Sequence, residues 1–94
     1  MLNISKFSFI DGVPDEEEVE NWTIEFFHSM MTVFNTFFAK LDLEEALSRI
    51  SIIPFENMVK EQLQDESEEV IAIAVAKINE LVETELEFMR AYIG

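Results

Sequence analysis

Cysteine is absent from the chain, which removes disulfides, thiolate metal sites and cysteine nucleophiles. Glycine occurs only twice, at Gly12 and Gly94, so no glycine-rich phosphate loop can be assembled. Positive charge is scarce as well: six Lys and Arg residues stand against twenty Asp and Glu, a formal net charge of −14. That balance repels nucleic-acid phosphates and anionic membrane surfaces, so neither is an expected partner, whereas a basic protein surface is. The apolar run of about 20 residues that a membrane span needs is also missing. The least charged stretch, residues 26–39, is too short and too polar for that role. The opening Met1-Leu2-Asn3-Ile4 lacks a basic region followed by an apolar run, so no secretory signal is expected and the chain reads as cytoplasmic.

Hydrophobic residues, by contrast, make up 49% of the chain and include nine Phe. Acidic disordered segments lack such aromatics and branched aliphatics, so a packed core under a negative skin is expected. Ninety-four residues fit one domain. A domain of this size hides only about 60–70% of the surface of its unfolded chain, and the apolar surplus points to an oligomer, with a homodimer the expected form.

Residues 1–13 read as an extended arm, because Leu2, Ile4, Phe7 and Phe9 are separated by polar residues and Asp11-Gly12 supplies a turn. No second strand is evident. A helix is predicted over 15–40, opened by Asp15 with Glu18 three residues later in capping-box spacing. Two apolar rows run along it: Val19, Trp22, Phe26, Met30, Val33 and Phe37, and beside them Phe27, Met31, Phe34, Phe38 and Leu41. Together they span about half the circumference, which predicts a central helix. Its remaining face (Asn21, Glu25, His28, Ser29, Thr32, Asn35, Thr36) carries no permanent charge between Glu25 and Lys40 and is expected to be covered by another helix or subunit. Short helices follow over 42–53 and 54–64, with Asp42 and Glu45 repeating the capping spacing and Pro54 separating or kinking the pair. A long helix over 66–93, opened by Asp65-Glu66-Ser67-Glu68, carries a stripe that includes Val70, Ala74, Ile78, Val82, Leu86, Met89 and Tyr92. Ile73 falls on its polar face. Glu85 falls inside the stripe and is expected to reach solvent or to pair with Arg49 or Lys60.

Chemistry has few footholds. Glu25 and His28 have the Glu-x-x-His spacing of di-iron bundles, but such a site needs the pattern twice and the chain holds one histidine, so no metal or cofactor is expected. No calcium loop of the required spacing occurs. Glu16, Glu17 and Glu20 are spaced as in the first half of the magnesium motif of all-α nucleotide pyrophosphohydrolases, a resemblance of five residues. The Glu-x-x-Asp half that would complete it is absent, and helix capping accounts for these acids. No nucleophile motif surrounds His28, so an enzyme is not expected.

Surfaces remain. Residues 65–94 hold eight of the acids, and residues 15–20 form the densest run. In size and acidity the chain is similar to small phage and plasmid proteins that inhibit restriction or CRISPR nucleases, and to immunity proteins against nuclease toxins. This similarity is one of composition and implies a DNA-mimic inhibitor. The expected architecture is all-α: a small bundle of about four helices with an extended N-terminal arm. The expected function is occlusion of a basic surface, such as that of a nucleic-acid-binding enzyme. Candidate contacts are Asp15, Glu16, Glu17, Glu18 and Glu20, with Glu80, Glu83 and Glu87. The alternative is a helical assembly, chaperone or adaptor protein working through apolar oligomer-forming surfaces, with Phe34, Phe38, Ile73 and Tyr92 as interface candidates.

Overall fold

A computed structural model describes residues 5–93 as an all-α bundle with one small hairpin. Its elements are β1 (Phe9–Ile10), β2 (Val13–Pro14), α1 (Glu16–Phe38), α2 (Leu43–Ser51), α3 (Phe55–Gln62) and α4 (Glu68–Ile93). Leu2 and Ile4, the first half of the expected alternation, lie outside the described residues.

The arm does not stay extended to residue 13. Asp11 and Gly12 both take positive φ, 52° and 80°, and between them reverse the chain. Positive φ at both central residues is the geometry of a type I′ turn, whose twist matches antiparallel strands. Phe9 then faces Pro14 and Ile10 faces Val13. A second strand therefore exists, in a place where Val13-Pro14 reads as the prelude to a helix. Two residues are too few to show any periodicity.

Three of the four described helix starts are held by side chains; α3, which follows Pro54, is not. Asp15 accepts from the Glu18 amide at 3.4 Å, while the Glu18 carboxylate reaches the Ser8 amide instead of closing the capping box on Asp15. The Asp15 amide is satisfied by the Ser8 carbonyl at 2.8 Å, which ties the hairpin to α1. Asp42 caps α2 through the Glu45 amide at 2.9 Å. At α4 the cap is Ser67, which accepts from the Val70 amide, and not Asp65. Glu66 is turned away to bind Ser5 and the Lys6 amide. Between α2 and α3, Pro54 sits at φ −81°, ψ 66° with the Phe55 amide donating to the Ile53 carbonyl at 2.9 Å. That is an inverse γ-turn, so the two short helices are separate and not one kinked helix.

The hub of the bundle is α4, which touches α1, α2, α3 and β2. This corrects the expectation that the first helix is central. The core seam of α1 is Val19, Thr23, Phe27 and Met31, at four-residue steps. Of the first apolar row, Trp22, Phe26 and Met30 are only half-buried, and Val33 and Phe37 are exposed. The wide apolar arc of α1 thus exceeds what one neighbouring helix covers. On α4, Val70, Ala74, Ile78, Leu86 and Met89 are buried, and α2 and α3 together cover what α1 leaves. Val59, Leu63, Val70 and Ile78 are wholly shielded from solvent, each worth about 1.5–3 kcal/mol relative to exposure. At the surface of the α3–α4 contact, Asn79 donates to Glu56 at 3.0 Å and Lys60 lies 3.0 Å from the same carboxylate. The Asn79 hydrogen bond, then Lys60, hold the Glu56 carboxyl below its ordinary value.

The start of α1 and the start of α4 are both tied to residues 5–8, and the two helices run parallel from there. The result is a rod of about 50 × 22 × 16 Å.

Candidate functional site

Two kinds of surface emerge from this frame. The first is acidic. Glu16 and Glu17 are exposed on the first turn of α1, while Asp15, Glu18 and Glu20 are half-buried. Asp15 and Glu18 are occupied in fixing the hairpin, as described above. Further along α4, Glu80, Glu83 and Glu87 are all exposed and recur at three- and four-residue steps on one face. Glu80 lies 3.6 Å from Lys77; Glu83 and Glu87 have no ion pair among the described residues. The two acidic groups are not merged into one patch. With 1.5 Å of rise per residue, Glu80 and Glu87 lie about 18 and 28 Å along α4 from its start, the end shared with residues 15–20.

The second surface is an apolar groove at the opposite end. Met31, Asn35 and Phe38 of α1, with Ala39 just beyond its end, form one wall, and Glu85, Phe88, Met89 and Tyr92 of α4 form the other. Leu43, Ala46 and Ile50 of α2 close it below, and the cavity measures about 570 Å³. Phe88 and Tyr92 pack edge to face at 5.0 Å between ring centres, yet are 58% and 70% exposed. Phe37, which precedes the wall residue Phe38, is 74% exposed. Among the described residues Glu85 is the only carboxylate that lines it, and it is half-buried. Its expected partners are engaged on their own helices, Arg49 with Glu45 and Lys60 with Glu56.

Of the interface candidates, Phe38 and Tyr92 meet in this groove. Phe34 stacks on Phe38 at 6.0 Å and meets Phe55 edge on. Ile73 is half-buried against the core of its own chain. The uncharged face of α1 is not covered by any of the described residues: Asn21, His28, Ser29, Thr32, Asn35 and Thr36 are exposed. Thr32 and Thr36 turn their hydroxyls back onto carbonyls of α1, 2.9 and 3.1 Å away, so the strip is less polar than its composition suggests. Glu25 and His28 are both exposed, and among the described residues no group of three or more potential metal ligands gathers. No helix among them is long and apolar enough to cross a membrane.

Met31, Met89 and Glu85 were not singled out as one site by sequence reasoning, since Met31 lies on α1 and the other two on α4, far along the chain. The available signal was the apolar stripe of α4 continuing through Phe88 and Tyr92 to the helix end. No protein-family model, curated protein or solved structure matches the chain.

Proposed function

We propose that this protein is a non-enzymatic acidic binder that occludes a basic surface on a protein partner, most concretely as a DNA-mimic inhibitor of a nuclease or DNA-binding protein. The observation that carries this reading is the distribution of unpaired acids along a stiff rod: the ion pairs among the described residues number three, all within single helices. Duplex DNA carries one charge per about 1.7 Å of axis, so a 50 Å length would hold about 30. A net charge of −14 over the same length is about half that density, enough to steer a basic cleft into contact. The exposed row Glu80, Glu83 and Glu87 is the leading contact, because it has no capping role. Binding alone blocks the partner.

Simultaneous Glu80→Lys, Glu83→Lys and Glu87→Lys substitution is expected to abolish capture of the basic partner while circular dichroism stays helical. Capture that survives the triple reversal would sink this reading. The groove and the exposed Phe37, Phe88 and Tyr92 favour a second reading, an assembly or adaptor protein working through apolar contacts. Ionic strength separates the two: the charge-driven complex weakens steeply with added salt and the apolar one hardly changes.

A further inference from the structure

We infer that the groove between the C-terminal halves of α1 and α4 receives an amphipathic helix that presents an apolar face and at least one Lys or Arg opposite Glu85. This rests on the reading of the protein as an acidic binder and specifies how the partner is gripped. The length fits. From Met31 to Ala39 and from Glu85 to Tyr92 the walls run about 12 and 10 Å, two helical turns. Two turns of guest helix offer anchors at i, i+3, i+4 and i+7, the pattern by which helices dock in apolar grooves. The lining suits such anchors: Met31 and Met89 adjust to different side chains, while Phe38, Phe88 and Tyr92 supply aromatic surface.

Charge selects the occupant. Among the described residues Glu85 is the one charged group that lines the groove, and it has no ion pair there. An acidic or neutral guest helix would desolvate that carboxylate without return, whereas a basic residue meets it. A second copy of this chain, at net −14, brings repulsion over the whole approach. A basic guest gains from the same field. The acidic faces then speed the encounter, and the groove sets how long the complex lasts.

The test uses two labelled synthetic helical peptides of identical Leu and Lys composition. One gathers its Leu residues on a single face; the other scatters them around the helix. In fluorescence anisotropy at physiological salt, the one-faced peptide is expected to bind at least about tenfold more tightly. Ala39→Trp, which fills the groove mouth from an exposed position, and Tyr92→Ala should each erase that advantage. Glu85→Gln should reduce it about fivefold, the scale of one partly exposed ion pair. Equal affinity of the two peptides overturns the groove assignment but leaves the acidic-surface reading standing, since both peptides carry the same charge. Failure of both peptides to bind even at low salt overturns the two together. Self-association that Ala39→Trp abolishes would mean that a second copy fills the groove, and also overturns the assignment.

Discussion

Thr23 is the one buried polar side chain among the described residues, and its hydroxyl donates to the Val19 carbonyl of its own helix at 2.9 Å. Because the acceptor lies on the same helix, the bond specifies no contact between helices. Replacing a satisfied hydroxyl by an isosteric methyl is close to neutral, since nothing is left unpaired that was paired before. Thr23→Val is therefore expected to change unfolding free energy by less than about 1 kcal/mol. Ile78→Ala, at a fully shielded position of α4, should cost about 2–5 kcal/mol because a cavity remains where the side chain was. Urea unfolding of both variants checks the comparison, and a Thr23→Val loss as large as that of Ile78→Ala would mean that the hydroxyl bonds across the interface. Thr23 also marks where hydropathy patterning stops short. Threonine counts as polar in any periodic count, so the true seam at residues 19, 23, 27 and 31 was split between two apparent rows.

At the level of elements, the hairpin is the piece that closes the acidic end. Phe7 is buried with its ring edge on Trp22 at 6.0 Å between centres, Trp22 stacks on Phe26 at 5.4 Å, and Lys6 lies 5.1 Å from the Trp22 ring centre. The turn sets where the strands lie. A Cβ at Gly12 would meet nothing within 4 Å, so the only obstacle to a larger residue is the backbone at φ +80°. Gly12→Ala should accordingly cost about 1 kcal/mol, and the looser arm should shift Trp22 emission to the red. Unaltered melting and emission would show that the turn does not hold the arm. Among the elements, the long helices were legible because their periodic apolar residues run for many turns, and their observed bounds, Glu16–Phe38 and Glu68–Ile93, lie within two residues of expectation. The second strand was illegible for the opposite reason. The start of α4 was ambiguous because Asp65 and Ser67 both have cap chemistry; Ser67 takes the role, and the neighbouring Glu66 is engaged by the arm. Phe38, Tyr92 and Glu85 stood out individually in the sequence. That they share a groove depends on α1 and α4 running parallel, which no local pattern encodes.

For the whole molecule, twenty acids on a rod only 22 × 16 Å in cross-section must repel one another. The Debye length falls from about 30 Å at 0.01 M salt to about 8 Å at 0.15 M, that is, from longer than this cross-section to shorter than it. Added sodium chloride should thus raise the melting temperature over that range. The three ion pairs among the described residues, which salt also weakens, all lie at the surface within single helices and contribute little against this. A melting temperature that falls with salt would mean that attractive pairs outweigh the self-repulsion. The parallel course of α1 and α4 has an electrical consequence of its own. Aligned peptide dipoles place about half a positive charge at each helix start and half a negative charge at each helix end. Both starts lie at the end crowded with residues 15–20 and 65–69, where the acids are partly neutralised. Both ends lie at the groove; Arg90 in the last turn of α4 and the start of α2 at Leu43 offset part of that charge, but α1 has no basic residue in its last turn. The groove end is therefore more negative, and the acid-rich end less so, than formal charges imply, and a cation approaching along the rod would feel pull at both.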